Sequence, residues 1–238
     1  MKGCDPKVAV MEQQLATEGK KVVVIMPYER CEDIYIEDLG DIQMSRRYAF
    51  LKRLLDVLFS IVALIVLALP ILIISLLVKF SSKGTVFYKQ ERLGLNGKKF
   101  DVIKFRTMDM NAEKDGCRWS DGDDDPRITS IGRFLRKSRL DEIPQFWCIL
   151  KGEMSLVGPR PERECFYNEF EEYIHGFSQR LKVKPGLTGL AQVKGGYYLK
   201  PEEKIIYDIE YIKKRTLKLD IKLVFDTFKV VLKREGAK

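Results

Sequence analysis

The sequence predicts an α+β chain that is mostly helical, with a small β-hairpin, one N-proximal membrane helix broken at Pro70 that either re-enters or spans, and interfacial amphipathic helices. Three observations predict it. A run of 22 residues from Val57 to Val78 carries no charge. Two β-rich segments, Thr85 to Glu91 and Phe100 to Arg106, flank Asn96-Gly97. From Leu140 onward, apolar residues recur at helical spacing between charged ones.

Residues 1–45 form a short acidic extension. They hold 5 basic and 9 acidic side chains, net −4, while the remaining residues hold 37 and 25, net +12. The basic charge therefore belongs to the part with the apolar run, where it would attract nucleic acid, anionic lipid or phosphorylated substrates. No nucleic-acid fingerprint is present. Within the extension, Val22 to Met26 and Ile34 to Ile36 read as short strands, too little to bury a core.

The membrane segment comes next, over 46–83. A helix of 22 residues covers roughly 33 Å, enough for a bilayer core of about 30 Å. Arg46, Arg47, Lys52 and Arg53 precede the run, and Lys79, Lys83 and Lys89 follow it. Cationic flanks stay on the cytoplasmic side, so a span is awkward. Pro70 removes a backbone donor and kinks a helix. Two arms, Leu54 to Leu69 and Pro70 to Phe80, could then enter and leave one leaflet. The alternative is a tilted spanning anchor that tolerates its proline.

Residues 84–238 form the third region. Its hairpin turns at Asn96-Gly97, a pair suited to positive φ. The acidic stretch from Asp115 to Asp125 reads as a solvated loop, because an EF-hand would need Gly where Pro126 stands and Glu where Gly132 stands. Thr129 or Ser130 caps a short basic helix through Arg133, Arg136 and Lys137. Leu140, Ile143, Phe146, Trp147 and Leu150 form one helical face, so Asp141 and Glu142 are expected to open a helix. A further helix follows Pro161, with Phe166, Phe170, Tyr173 and Ile174 on one face. The stripe Ile221, Val224, Phe225, Phe228, Val231 and Leu232 is either core or a helix in the headgroup layer.

His175 is the single histidine, which excludes a Ser-His-Asp triad and a multi-histidine metal site. The five cysteines show no C-x-x-C spacing and read as reduced. Acid–base and nucleophilic work falls to carboxylates. At a helix start a carboxylate stays ionised and phosphate is drawn in, which makes Asp141 an anionic nucleophile. Two adjacent carboxylates repel unless a cation stands between them. Magnesium suits that need, with Glu142 as its ligand and phosphate oxygens completing the shell. An Asp-Glu pair alone is a weak signal; the nearby Arg136, Arg139 and Arg160 strengthen it, because guanidinium groups bind phosphate bidentately.

From about Arg47 to the C-terminus the sequence resembles the monotopic phosphoglycosyl transferases, also called bacterial sugar transferases. The resemblance rests on Leu51-Lys52-Arg53 with Asp56, Lys104-Phe105-Arg106-Thr107-Met108, Asp125-Pro126-Arg127, Leu140-Asp141-Glu142, Val157-Gly158-Pro159-Arg160-Pro161 and Lys184-Pro185-Gly186-Leu187-Thr188-Gly189, in this order. It implies transfer of a sugar 1-phosphate from a UDP-sugar to polyprenyl phosphate with release of UMP, at the cytoplasmic face of the bacterial inner membrane, initiating surface polysaccharide or glycoconjugate assembly. Residues 84–238 would be the cytosol-facing catalytic domain. By this resemblance Asp141 is the covalent nucleophile, Glu142 serves the magnesium, and the membrane helix is re-entrant. Lys104, Arg106, Arg127, Arg136 and Arg160 are the expected substrate-binding cations.

Two departures stand out. The family commonly has Ser-Pro at the membrane break, and this chain has Leu69-Pro70. Many members continue after the Thr188-Gly189 motif to a Gly-Arg pair, where this chain reads Lys194-Gly195-Gly196-Tyr197, so Lys194 is the candidate replacement for a substrate-contacting arginine. The competing reading is a non-catalytic membrane adaptor of polysaccharide assembly. The sequence names neither the sugar nor the oligomeric state, a homo-oligomer included.

Overall fold

The computed structural model describes residues 9–14, 21–26, 33–110, 112, 117–118, 125–195 and 199–233. The expected acidic loop over 115–125, apart from 117–118 and Asp125, and the Gly196-Tyr197 pair lie outside the described residues.

The extension contributes β1 (Ala9–Gln14), β2 (Lys21–Met26) and β3 (Ile34–Tyr35). The bent helix pair follows as α1 (Arg46–Val66) and α2 (Ala68–Ser81), and then the hairpin β4 (Phe87–Leu93) and β5 (Lys99–Phe105). Beyond β6 (Cys117–Arg118) come α3 (Ser130–Lys137), α4 (Gln145–Lys151), β7 (Ser155–Val157), α5 (Glu164–Glu171), β8 (Ile174–His175) and β9 (Gly186–Thr188). Three helices close the chain: α6 (Leu190–Gly195), α7 (Pro201–Lys214) and α8 (Leu217–Lys233).

Among the described residues the strands form four small sheets, which include the expected hairpin and the short strands expected near Val22 to Met26 and Ile34 to Ile36. The sheets are β1-β2-β6, β3-β8, β4-β5 and β7-β9. The hairpin itself is where the sequence puts it, with Asn96 at φ 55 and Gly97 at φ 74 turning the chain. The pairings β3-β8 and β7-β9 are parallel and join segments far apart in sequence, which no local pattern announces. Through β3 the end of the extension lies against the main body, where Ile34, Ile36, Leu39 and Ile42 pack on the core.

No single helix among the described residues is long and apolar enough to cross a membrane. The pair α1 and α2 passes that test together, bent by 62°. The break falls at Leu67, three residues ahead of the proline. Pro70 sits in the first turn of α2, where its missing N–H is one that no helical partner would have taken. Backbone bonds continue across the bend, from Leu67 N to Ala63 O (2.8 Å) and from Ile71 N to Leu67 O (2.8 Å). No serine is needed there.

Both arms are bonded to one body. On α1, Lys52 donates to Val157 O (3.0 Å) and pairs with Asp220 (2.9 Å). Arg53 donates to the carbonyls of Ile149 (2.6 Å) and Leu150 (2.7 Å), and the Asp56 carboxylate accepts from Leu156 N (2.9 Å) and Ser155 Oγ (3.1 Å). On α2, Ile74 and Val78 pack with Phe105, Leu135 and Ile143. The main core lies beyond, around Ile149, Met154, Phe170, Phe177, Ile205 and Ile212.

The structure bears on two further readings, one left open and one corrected. Leu223 carries the buried face of α8, while Ile221, Phe225 and Phe228 stay exposed, so the stripe is not simply core. Cys165 is disulfide-bonded, which overturns the all-reduced reading there, whereas Cys148 is free and buried.

Candidate active site

Four segments bring the site together. The last residues of β5 supply Lys104, the last turn of α3 supplies Arg136, a one-turn 3-10 helix at Leu140–Glu142 supplies the dyad, and the loop after β7 supplies Arg160. Thr129 Oγ caps α3 by accepting from Gly132 N (2.9 Å), as the sequence implied. Arg139 then takes a left-handed conformation, φ 55, and turns the chain. A non-glycine residue held there stores strain of the kind that clusters at functional sites. The dyad is consequently not the first turn of the following helix. Pro144 starts α4 separately, where a proline costs nothing.

Arg160 is held from behind. Strand β7 pairs with β9 so closely that a Cβ on Gly186 would stand 2.1 Å from the Gly158 nitrogen. Gly158 N donates to Thr188 O (2.8 Å), and Gly186 N donates to Pro159 O (2.8 Å). The Arg160 carbonyl accepts from Arg180 (2.9 Å), a fully buried side chain paired with Asp208 (2.7 Å). Beside it, Glu162 takes Arg92 and Lys204, each at 3.1 Å, and these cations hold its carboxyl down to about 2 against the effect of burial.

Asp141 and Glu142 are both buried. Glu142 Oε1 receives Lys104 (3.1 Å) and Arg160 (2.5 Å). Burial alone would raise its pKa; the two cations overcome that and keep it well below the usual carboxylate range. Asp141 moves the other way. Burial and then the adjacent Glu142 push it up to about 6, opposed by Lys104, Arg136 and Arg160. The expected helix start is a single 3-10 turn, whose dipole is too small to offset desolvation, so the carboxyl rises. It is still mostly ionised at neutral pH. Burial also lowers the Lys104 pKa, with Glu142 opposing.

Lys104, Arg136, Asp141, Glu142 and Arg160 thus meet in one place. Arg106 does not join them. It is buried and donates to Ser82 O (2.8 Å), Lys83 O (2.9 Å) and Val78 O (3.3 Å), closing the C-terminal end of α2. Arg127 is engaged by the buried Asp125 through Nε (2.8 Å) and Nη2 (2.5 Å), and it donates to Ala112 O (3.0 Å). Lys194 is exposed on α6, and no described contact joins it to the dyad. The sequence reading missed Glu162, although its position directly after Arg160-Pro161 was a signal.

Among the described residues no group of three or more His, Cys, Asp and Glu side chains could hold a metal. The donor set at the dyad is two carboxylates. That suits a magnesium ion shared with phosphate oxygens and does not suit an all-protein cage.

Beside the dyad runs a groove of about 270 Å³ whose lining includes Glu142, Arg139, Ser138, Gln192, Leu67 at the helix break, and Phe228. A buried aspartate therefore sits among three cations and a second carboxylate, in a chain that also carries a bent apolar helix pair. The chain belongs to the bacterial sugar transferase family, whose model matches residues 47–234. It is 38% identical over 212 residues to the UDP-N-acetylgalactosamine-undecaprenyl-phosphate N-acetylgalactosaminephosphotransferase of Aeromonas hydrophila, covering 88% of this chain and 50% of that protein. It is 36% identical over 243 residues to the UDP-glucose:undecaprenyl-phosphate glucose-1-phosphate transferase of Escherichia coli K12, covering 95% and 52%. It is 40% identical over 207 residues to the undecaprenyl-phosphate galactose phosphotransferase of Salmonella typhimurium, covering 81% and 43%. The chain spans about half the length of these curated relatives.

Proposed function

We propose that the chain moves a sugar 1-phosphate from a UDP-sugar to polyprenyl phosphate, and that Asp141 carries the sugar phosphate between them. The observation that carries this reading is Asp141 buried beside Glu142 among Lys104, Arg136 and Arg160. An Asp141 carboxylate oxygen attacks the phosphorus next to the sugar. The bond to the bridging oxygen breaks, and UMP leaves with that electron pair. An oxygen of polyprenyl phosphate then attacks the same phosphorus, the aspartyl bond breaks, and the product is a polyprenyl diphosphate sugar. Lys104, Arg136 and Arg160 offset the charge of the diphosphate and hold Asp141 as an anion. Glu142 is the residue for magnesium, which supplies charge neutralisation on the diphosphate when bound. The relatives named above act on donors with different sugars, so the sugar is left to a donor panel assayed for UMP and for the lipid product. A chain that binds both substrates and makes neither product contradicts the reading and favours the adaptor.

The raised pKa of Asp141 gives a pH expectation. Attack requires the ionised form, so UMP release falls about tenfold per pH unit below about 6. Lys104→Met removes a cation that lowers that pKa, and the acid limb moves upward. A pH–rate profile of the parent and the variant checks both.

The helix pair reads as re-entrant at the cytoplasmic face of the bacterial inner membrane. Lys52, Arg53 and Asp56 tie the start of the pair to the main body, and Arg106 ties its end to the same body. Single cysteines at exposed Phe50 and Phe80 should both react with an impermeant thiol reagent from the cytoplasmic side only. Labelling of the two from opposite sides means a span.

A further inference from the structure

Gln192 is the feature that the account so far leaves unexplained. It lies on α6, in the wall of the groove that also contains Glu142, Arg139 and Ser138. Neither its Oε1 nor its Nε2 has a hydrogen-bond partner, and both are closed off from solvent. A sealed amide with no partner is a costly arrangement, relieved when a polar ligand arrives and the side chain turns to meet it. The neighbouring hydroxyls do not take that part, because Thr188 and Thr227 bond each other (2.6 Å) and Thr227 donates to Leu223 O (2.6 Å). Space at the site is set by backbone: a Cβ on Gly189 would stand 2.2 Å from Gly158 O and 2.7 Å from the Gln192 Oε1.

The groove says which ligand. Its walls are mostly apolar, contributed by Phe59 and Leu67 of the bent helix pair and by Val224, Phe228 and Val231 of α8. Phe228 and its helix neighbour Phe225 continue onto the exposed apolar face. Its charged lining residues are Glu142 of the dyad and Arg139. An occupant that matches is an amphiphile with a long apolar chain and a small anionic head delivered to the dyad. The body of a sugar nucleotide, hydrophilic at sugar and base and charged at its diphosphate, does not match such walls.

We infer that Gln192 contacts the phosphate of the lipid acceptor, and so serves the second half of the reaction and not the first. This rests on the transferase reading above. Nε2 donates to a phosphate oxygen, which a neutral amide does without adding charge beside the two carboxylates. No bond is made or broken at Gln192, and its role is recognition and positioning of the attacking oxygen.

The test separates the half-reactions. Gln192→Leu and Gln192→Glu are compared with the parent full chain in nanodiscs. Release of UMP in the absence of acceptor, read as a single turnover, should stay within about twofold of the parent. Discharge by polyprenyl phosphate should show an acceptor KM raised about ten- to a hundredfold, more for Gln192→Glu, where a carboxylate faces the phosphate. Equal losses in both half-reactions, or a raised KM for the UDP-sugar alone, overturn the inference, as does an unchanged acceptor KM. A second arm needs no turnover: binding to vesicles with and without polyprenyl phosphate. If the parent never releases UMP but binds the phosphate-bearing vesicles in a Gln192-dependent way, the transferase reading fails while the contact between Gln192 and the lipid phosphate stands. If binding does not depend on Gln192, the inference fails by itself.

Discussion

Asp141→Asn should leave the fold intact and abolish turnover by about 10⁴-fold or more, the scale on which loss of a covalent nucleophile is felt. The substitution keeps the size and shape of a buried side chain. It removes the attacking oxyanion and with it the charge that repels Glu142. The neighbouring cations keep their partner, because Lys104 and Arg160 both bond Glu142. The variant should therefore still bind UDP-sugar, and by relieving like-charge repulsion it should bind no more weakly than the parent. Calorimetric titration with the sugar nucleotide and a UMP-release assay read the two halves of this expectation separately. A variant that turns over at the parental rate removes Asp141 from the chemistry.

The second large effect is on stability. Arg180→Met should lower stability by about 3–5 kcal/mol, because it strands a buried carboxylate. Asp208 is buried, its pKa is raised by that burial with Arg180 opposing, and Arg180 meets it at 2.7 Å. The guanidinium also lies over the Phe177 ring, 4.7 Å from its centroid, and donates to the Arg160 carbonyl. For a chain of this size the melting temperature should fall by about 6–20 °C. Replacing both partners, Arg180→Met with Asp208→Leu, should recover most of the loss, since an apolar pair of similar volume leaves no buried charge. Activity should recover less than stability, because the Arg160 carbonyl still lacks its donor. Thermal unfolding of the single and double variants decides. A double variant as unstable as the single one would mean that the carboxylate is not the source of the cost.

What the sequence announced and what it hid divide along a physical line. Features set within a few residues were legible: the Asn96-Gly97 turn, the Thr129 cap, and a helix break near Pro70. The position of that break was off by three residues because a proline is best tolerated inside a first turn, so the bend moves ahead of it. The structural setting of the dyad was not legible, since a left-handed Arg139 detaches it from α4. Arg106 and Arg127 looked like Arg160 in one dimension. Their partners separate them: three carbonyls at the end of α2 for Arg106 and the buried Asp125 for Arg127, against the dyad for Arg160. The support behind Arg160 was illegible because Arg92, Lys204 and Arg180 come from remote elements, and the same holds for Gln192. A buried partner 20 to 70 residues away leaves no periodic trace.

The central claim is that the sugar phosphate rests on a side chain of this protein between donor and acceptor. Intact-mass spectrometry after mixing the full chain with UDP-sugar and magnesium, with acceptor withheld, addresses it directly. The account predicts an increment equal to one sugar phosphate, mapped by peptide analysis to Asp141, absent from Asp141→Asn and lost when polyprenyl phosphate is added. UMP and lipid product formed when both substrates are present, with neither an increment nor UMP release when the acceptor is withheld, would contradict it and place the transfer directly between the two substrates.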